Sequence, residues 1–195
     1  MKKALGVLAL VLVAAHALAG NSEHVMLIDD FSAPDGRSAL GRSWEGFSDR
    51  VMGGRSDMQS GYRQVDGGNV LFLRGRVRLD NNGGFIQVRL PLAERGGRFD
   101  AGGFRALRLE ARAVRPGAYY VHLRSVDTRR PWAYYRARLN ATDEWSQIEL
   151  PWAEFEPRNL DRPLATSSLR AIAIVAYGEA FDADIEIRRV ELVND

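Results

Sequence analysis

Hydrophobic and polar residues alternate with a period of two along most of the chain. In the stretch around residue 110, Leu107, Leu109 and Ala111 alternate with arginine and glutamate, the pattern of a strand with one buried face. Turn-forming Gly, Pro, Asn and Asp residues separate such stretches. The alternation predicts strands near 25–31, 43–47, 57–65, 69–79, 84–90, 104–113, 118–127, 132–139, 145–150, 169–177 and 184–193.

The same pattern leaves little room for helices. Short helical turns are expected only at 152–156 and after Pro163, and neither is long enough for the strand–helix unit that binds a dinucleotide. Many short strands separated by turns favour an all-β fold, an antiparallel β-sandwich or jelly roll. Because no linker, repeat or low-complexity tract interrupts residues 20–195, we expect them to form one domain.

The first 19 residues have the three parts of a secretory signal peptide. Lys2 and Lys3 form a positive start, residues 4–15 are largely apolar, and residues 17–19 read Ala-Leu-Ala, a small-residue cleavage site. The apolar run is shorter than the roughly 20 residues of a membrane-spanning helix. We therefore expect cleavage before Gly20, no membrane insertion of the mature chain, and a periplasmic or secreted location.

Charge argues against a nucleic-acid partner. Lys2 and Lys3 are the only lysines, so removing the signal peptide lowers the formal net charge from +2 to 0. The mature domain is therefore not a basic body overall. All of its basic residues are arginines, which form bidentate hydrogen bonds with carboxylates and phosphates, although a preference for arginine codons explains this composition equally well.

The sequence lacks the usual catalytic constellations. Ser38, Ser43 and Ser56 each follow a glycine by two residues, but none precedes one by two, so the G-x-S-x-G motif is absent. His24 and His122 are the only histidines after residue 19, and the chain has no cysteine for a nucleophile, a thiolate metal site or a disulfide. We therefore assign no catalytic residue, metal ligand or cofactor, and an enzyme is the least favoured interpretation.

Acidic clusters leave alternatives open. Carboxylate pairs at 143–144 and at 154 and 156 have the residue types of a glycosidase, but such pairs are common on solvated loops. Oxygen-rich segments at 29–30, 80–82 and 182–184 have ligands for calcium, or form turns in which the side chains bond their own backbone. The turn interpretation is favoured for each segment, because none has the spacing of an EF-hand loop.

Two segments, 44–56 and 75–89, carry paired glycines beside polar residues. Such pairs allow a positive φ or a close backbone approach, and neighbouring polar side chains hold such loops by hydrogen bonds. Together the segments closely resemble the complex I intermediate-associated protein 30 family, in which a Trp precedes an N-D-x-V-M-G-G-x-S-like stretch and a later strand enters N-N-G-G-F. The matching residues, which we interpret as structural, are Trp44, Asp49, Met52, Gly53, Gly54, Ser56, Asn81, Asn82, Gly83, Gly84 and Phe85.

The resemblance covers nearly all of residues 20–195. It implies a β-sandwich of the galactose-binding-domain type, in agreement with the alternation of residues. The departures from the family pattern are Ser48 and Arg50 beside Asp49, and an Arg-Pro-Gly turn at 115–117 where many members have a G-D-G-like turn.

For function, the resemblance implies binding without catalysis. The mitochondrial protein that gives the family its name is an assembly chaperone of respiratory complex I, and related sandwiches bind carbohydrates or proteins. Three classes stay open: a module that binds or helps assemble a protein client, a carbohydrate-binding module, and an enzyme of unknown type. A carbohydrate module usually accompanies a catalytic domain, and residues 20–195 contain none, so a protein client is the first expectation and a glycan the second.

Strand alternation also predicts which side chains point away from the core. If Ile86, Val88 and Leu90 are buried, Phe85, Gln87 and Arg89 share the opposite face, and the same parity turns aromatic and cationic side chains of 118–127 and 132–139 outward. This mixture suits a glycan, because sugar rings stack on aromatic faces while their hydroxyls take planar donors, and arginine forks also suit carboxylates. An ordinary solvated sheet is the alternative. The predicted binding face comprises Arg89, Tyr120, His122, Arg124, Trp132, Tyr134 and Arg136.

Overall fold

The computed structural model describes residues 24–95 and 97–194. The predicted signal peptide and its cleavage site lie outside the described residues. The strands of the described part are β1 (Val25–Asp29), β2 (Glu45–Ser48), β3 (Asp57–Val65), β4 (Gly68–Val77), β5 (Phe85–Pro91), β6 (Ala106–Arg115), β7 (Tyr119–Ser125), β8 (Tyr134–Arg138), β9 (Ser146–Pro151), β10 (Glu156–Arg158), β11 (Leu169–Tyr177) and β12 (Phe181–Val193).

The strands form two antiparallel sheets. Sheet I has the order β3-β4-β12-β6-β9, and β1 also pairs with β12. Sheet II has the order β10-β8-β7-β11-β5-β2. One hydrophobic cluster contains buried residues of both sheets, which therefore pack face to face. The architecture confirms the predicted all-β, antiparallel β-sandwich.

The core lies between the sheets because each strand buries alternate side chains. In sheet I, Leu107 and Leu109 of β6 are completely buried, as the alternation predicts. In sheet II, Val121 and Leu123 of β7 are buried in the same way. The other side chains that parity assigns to the inner face of β5, β7 and β8 are buried too. The side chains on the opposite face of each sheet therefore do not pack into this core.

Helical turns are more numerous than the sequence predicts. The two expected turns form as 3₁₀ helices at Trp152–Glu154 and Thr166–Ser168. Two more form at Asp49–Met52 and Asp80–Asn82, inside the glycine-pair segments. There, hydrogen bonds to one buried carboxylate from residues distant in sequence hold the backbone, and no local periodicity reveals them.

Several strand bounds differ from the prediction by two or three residues; the last strand, for example, begins at Phe181 and not at 184. The strand predicted at 69–79 ends at Val77, because the N–H of Arg78 donates to the side-chain oxygen of Ser56 at 2.9 Å instead of to a neighbouring strand. Strand β10 is not predicted. It is a three-residue edge strand with Pro157 at its centre, where a proline normally argues against a strand.

Candidate binding cleft

The outer face of sheet II contains a cleft of about 710 Å³. Strand β11 runs along its floor, between β5 and β7. Ala171 and Ala173 of β11 line the cleft, and their small side chains leave the space above the strand open. Ala173 pairs with Arg89 on one side and with His122 on the other. Since neighbouring strands lie about 4.8 Å apart, the backbones of β5 and β7 are about 10 Å apart, with larger side chains on both sides of the alanine floor.

Aromatic rings line the β7 and β8 side of the cleft. His122 stacks on Tyr134, with ring centroids 4.1 Å apart and an interplanar angle of 14°. Tyr177, at the end of β11, contacts both rings edge-on, at 5.9 Å from His122 and 6.5 Å from Tyr134. Trp132, in the loop before β8, is 56% exposed, and its carbonyl oxygen accepts a hydrogen bond from Nδ2 of Asn159 at 2.8 Å. The indole ring of Trp132 is thus exposed beside a packed aromatic cluster.

His122 lies on the predicted face but is nearly covered, with only 7% of its surface exposed. Burial, with a smaller contribution from the charge of Arg136, lowers the pKa of His122 to about 3. The imidazole is therefore neutral at physiological pH. Its Nε2 atom is buried and has no hydrogen-bond partner among the described residues. His122 is a packed neutral ring and not an exposed cation.

Arg124 lines the cleft and also holds one of its loops. Its guanidinium donates to three backbone carbonyl oxygens of residues 128–131, at 2.6 to 2.9 Å, and this loop leads directly to Trp132. Burial, followed by the charges of Arg89 and Arg170, lowers the pKa of Arg124 from its ordinary value. Removing Arg124 would therefore disturb the loop as well as the cleft.

Arg89 has one partner at the edge of the sheet. Its Nη2 donates to Oε2 of Glu45 on β2 at 2.9 Å, and its guanidinium lies 5.3 Å from the centroid of the Phe47 ring. Its Nη1 makes no hydrogen bond to any described residue. Arg89 is therefore only partly satisfied by the protein.

Two members of the predicted face lie outside the cleft. The guanidinium groups of Arg136 and Arg138 lie 4.6 and 4.9 Å from the ring centroid of Tyr120, and the Tyr120 hydroxyl accepts a hydrogen bond from Arg138. Tyr120 and Arg136 are thus engaged with each other. The predicted residues that the structure brings together in the cleft are Arg89, His122, Arg124, Trp132 and Tyr134.

The two glycine-pair segments meet at Asp49, which is completely buried. Its carboxylate accepts hydrogen bonds from the backbone N–H and the hydroxyl of Ser56, at 2.9 and 2.6 Å, and from the N–H of Gly84 at 2.6 Å. Burial alone would raise the pKa of Asp49, but these hydrogen bonds to the ionised form outweigh it, and the pKa is lowered. One carboxylate therefore ties both segments together.

Asp49 also explains one glycine of each pair. A Cβ on Gly54 would lie 2.7 Å from Cβ of Asp49, and a Cβ on Gly83 would lie 2.9 Å from its Cγ, closer than real side chains approach. The other glycine of each pair has a positive φ, +89° at Gly53 and +126° at Gly84, so both uses that such pairs allow occur here. The pairs let two loops close around one carboxylate.

Other motif residues support the same loops. Nδ2 of Asn81 donates to the carbonyl oxygen of Gly53 at 3.1 Å, which joins the two segments a second time. Trp44 is half-buried against the core, and its Nε1 donates to Oδ2 of Asp29 at 2.9 Å. These contacts agree with the structural role assigned to the motif.

The motif loops also form one end of the cleft, which the sequence analysis missed. Val51 and Met52, at the tip of the first loop, are 68% and 60% exposed and line the cleft with Asn82, Gly83 and Phe85. The family motif therefore shapes the cleft as well as the fold.

Gln87 and Tyr177 are further cleft residues absent from the predicted binding face. Gln87 is on the same face of β5 as Arg89, so strand parity already pointed to it. Tyr177 shares its face of β11 with Ala171 and Ala173, but a strand buried along almost its whole length gives no polar alternation that would reveal this face.

The residues that line the cleft include no aspartate, glutamate, serine, threonine, cysteine or lysine within the described part of the chain. The carboxylate pairs at 143–144 and at 154 and 156 lie elsewhere. The cleft therefore holds arginines, neutral polar groups and aromatic rings, without the carboxylate pair that glycoside hydrolysis requires.

Of the oxygen-rich segments, 29–30 makes the expected turn, whereas 182–184 lies in strand β12 and Asp184 pairs with arginines of other strands. Oδ1 of Asp29 accepts from the N–H of Phe31 at 2.8 Å, and Asp184 lies within 3.6 Å of the guanidinium groups of Arg63 and Arg74. In residues 24–95 and 97–194, no three His, Cys, Asp or Glu side chains are grouped to hold a metal ion. No helix among these residues is long and apolar enough to span a membrane.

Fold and cleft together define a β-sandwich of the galactose-binding-like class. A family 11 carbohydrate-binding module of a cellulosomal cellulase from Clostridium thermocellum superposes with a TM-score of 0.67 at 14% identity, covering 88% of this chain and 95% of that one. The same type of module in complex with a β-1,3-1,4-mixed-linked tetrasaccharide gives 0.65 at 14% identity, over 86% and 94% of the two chains. A family 30 module from that organism gives 0.56 at 13% identity, over 76% and 90%. At these identities the likeness concerns the fold.

The sequence itself identifies the family of the chain. Residues 30–185 match the model of the complex I intermediate-associated protein 30 family, and the chain belongs to that family. No curated protein matches the sequence. The resemblance inferred from the glycine-pair segments is therefore confirmed.

Proposed function

We propose that this chain is a non-catalytic module that binds an oligosaccharide in the cleft of sheet II. The observation that carries the proposal is Trp132, a large aromatic ring that is 56% exposed beside an alanine-floored cleft. Aromatic faces of this kind stack on sugar rings. A family 11 module of similar fold binds a mixed-linked tetrasaccharide, which supports the proposal.

Polar groups around the cleft suit the hydroxyls of a sugar. The amide side chains of Asn82 and Gln87 line it, and each amide offers both donors and an acceptor. Nη1 of Arg89 is a further donor, which bonds to no residue in the described part of the chain. A few placed polar groups among apolar and aromatic surface are typical of small-ligand sites.

The residue types of the cleft support a non-catalytic role. Hydrolysis of a glycosidic bond requires an acid and a base or nucleophile, usually two carboxylates. The cleft lining described above offers none, and its one histidine is neutral and nearly covered. The module therefore holds its ligand without cleaving it.

The proposed location is the periplasm or the exterior, after cleavage of residues 1–19, with residues 20–195 as one domain. Saccharide polymers of cell walls and surroundings are accessible there. Intact mass spectrometry of the protein from its native cells is expected to show a chain that begins at Gly20. A chain that keeps Met1 would contradict the location.

A protein client is the second candidate. Val51 and Met52 are apolar and mostly exposed at the end of the cleft, and exposed apolar side chains are typical of protein contacts. The family takes its name from association with an intermediate of complex I. In this alternative the cleft takes an extended segment of the client, with Met52 as an anchor.

Isothermal titration calorimetry of residues 20–195 against an oligosaccharide panel, chosen by a glycan array, tests the proposal. Trp132→Ala is expected to weaken binding at least about tenfold, since central aromatic residues commonly contribute about 2 kcal/mol or more. Trp145→Ala, which changes the tryptophan directly before strand β9 of sheet I, is the matched control and should keep full affinity. If no saccharide binds, and Met52→Ala instead abolishes capture of a protein from the periplasmic fraction, the second candidate replaces the first.

A further inference from the structure

The charge of the cleft is unbalanced. Arg89, Arg124 and Arg129 line it, and no aspartate or glutamate of the described chain does. Arg124 donates only to backbone carbonyl oxygens, and the side chain of Arg129 forms no hydrogen bond or ion pair with any described residue. Glu45, on the edge strand β2, is the one carboxylate among the described residues that pairs with a cleft arginine. The cleft therefore carries net positive charge although the mature chain is neutral overall.

Two of these cations face each other across the floor. Arg89 pairs in register with Ala173 of β11, and Arg124 pairs with Ala171, so the two arginines rise from opposite sides of one strand. They are close enough for the charge of Arg89 to contribute to the lowered pKa of Arg124, after the larger effect of burial. An anion between them would relieve this repulsion and would be attracted by both charges.

The stacking surface and the cations belong to one cleft. Trp132 and Arg129 lie on the same loop side, and Arg89 is on the far side of the floor. A ligand that uses the whole cleft therefore needs a ring to stack and a negative group to meet a guanidinium. Guanidinium groups donate strong hydrogen bonds to carboxylate and sulfate oxygens, and Nη1 of Arg89 makes none with any described residue.

We infer that the ligand is an anionic saccharide, one whose sugar rings carry carboxylate or sulfate groups. The inference rests on the proposed function and specifies its ligand class. Neutral saccharides would leave the cationic cleft uncompensated, and so should bind more weakly than acidic saccharides of the same backbone. The negative group lies over the alanine floor between Arg89 and Arg124, and a sugar ring stacks on Trp132.

The test compares ligands that differ only in charge. Calorimetry measures the affinity of residues 20–195 for uronic-acid oligosaccharides and their methyl esters, and for sulfated oligosaccharides and their desulfated forms. At least one acidic form is expected to bind about tenfold or more tightly than its neutral counterpart, and its affinity should fall as salt screens the charges. The uronate and sulfate arms identify which anion the cleft takes.

Each other outcome overturns the inference in a distinguishable way. Equal binding of acidic and neutral forms would refute the anionic ligand and leave saccharide binding standing. Failure of every saccharide, with no heat or shift at any concentration, would refute both. If a poly-glutamate peptide binds and no saccharide does, the anionic saccharide and saccharide binding itself are both refuted. The positive cleft would then be the binding site of an acidic protein client.

Charge variants of the protein test independently whether the ligand is anionic. Arg129→Gln removes a cation whose side chain has no partner in residues 24–95 and 97–194, so it should weaken the acidic ligand several-fold without lowering the melting temperature. Glu45→Gln removes the carboxylate that competes for Arg89 and should tighten the same ligand. Arg76→Gln, an exposed arginine of sheet I, is the control and should change neither. Unchanged affinity in both cleft variants would contradict the inference.

Discussion

Both sheets turn arginines and aromatic rings away from the core, but they satisfy these side chains differently. On sheet I, Glu186 is almost completely buried and accepts hydrogen bonds from Arg63 at 2.8 Å and from Arg112 at 2.6 Å. The guanidinium groups of Arg112 and Arg188 lie over the ring of Trp145, 4.8 and 4.1 Å from its centroid. The charged and aromatic side chains of this face are therefore paired with one another.

In the cleft of sheet II, several side chains of the same types lack such partners among the described residues. Trp132 has no guanidinium over its ring among the described contacts, Arg129 has no carboxylate partner, and Arg124 meets only carbonyl oxygens. Arginine and aromatic side chains on a sheet therefore do not mark a binding site by themselves. The informative feature is which face lacks the carboxylates that would neutralise it.

The largest expected effect on stability comes from a substitution on the outer face of sheet I. Glu186→Ala removes the shared acceptor of Arg63 and Arg112 and leaves two cations without it, so the free energy of unfolding should fall by about 3 kcal/mol. Glu45→Ala on sheet II removes an exposed partner and should cost less than about 1 kcal/mol. Urea denaturation measures both variants. Equal losses would mean that the two faces do not differ in the way described.

The second effect concerns the covered part of sheet II. His122 has an ordinary pKa near 6.5 when unfolded and about 3 when folded, so the unfolded chain binds the proton more readily. Stability from this residue is complete above pH 6.5 and is lost as the pH falls, by about 2 kcal/mol between pH 7 and about 5. His122→Phe keeps a ring on Tyr134 and removes the titration. Its stability should depend less on pH over this interval, and an unchanged dependence would show that His122 is not buried in its neutral form.

A third comparison concerns the loops at the end of the cleft. Gly54→Ala places a methyl group against Asp49 and should destabilise by about 1.5 kcal/mol. At Gly53 the added Cβ meets open space, and only the positive φ opposes it, so Gly53→Ala should cost about 1 kcal/mol. Thermal melts distinguish the two. The reverse order would mean that Asp49 does not hold the loops as tightly as its hydrogen bonds indicate.

The smallest expected effect on the stability of the protein comes from removing the exposed ring of Trp132. Trp132→Ala removes a side chain that is more than half exposed, so the free energy of unfolding should change by less than about 0.5 kcal/mol. Trp145→Ala removes a ring that two guanidinium groups cover and should cost about 1 kcal/mol. A large loss at Trp132, measured by thermal melts, would mark it as structural.

Much of the fold follows from residue parity. Alternation on β6 and β7 gave the strands, the inner faces and the antiparallel sandwich, because the period of two is imposed by the backbone of any strand. The cleft follows only in part. Parity placed Arg89 and Trp132 on one face, but it does not say how neighbouring strands align, so it could not separate Trp132 in the cleft from Tyr120 outside it.

Long-range hydrogen bonds account for the remaining differences. Arg124 was predicted only as part of the binding face, yet it also holds the loop at 128–131 through carbonyl oxygens that carry no sequence signal. Asp49 bonds to Gly84, which is 35 residues away, and this contact turns two separate motifs into one end of the cleft. Such contacts depend on the folded arrangement and not on local pattern.

The indole N–H signals of the four tryptophans give the most direct test of the central claim. The indole N–H groups of Trp44, Trp145 and Trp152 donate to partners within the protein, whereas Trp132 lines the cleft. In ¹H–¹⁵N spectra of residues 20–195 titrated with a saccharide that binds, the Trp132 signal should shift to saturation while those of Trp44, Trp145 and Trp152 stay in place. Saturating shifts at Trp145, with Trp132 unmoved, would contradict the account and place the binding site on sheet I.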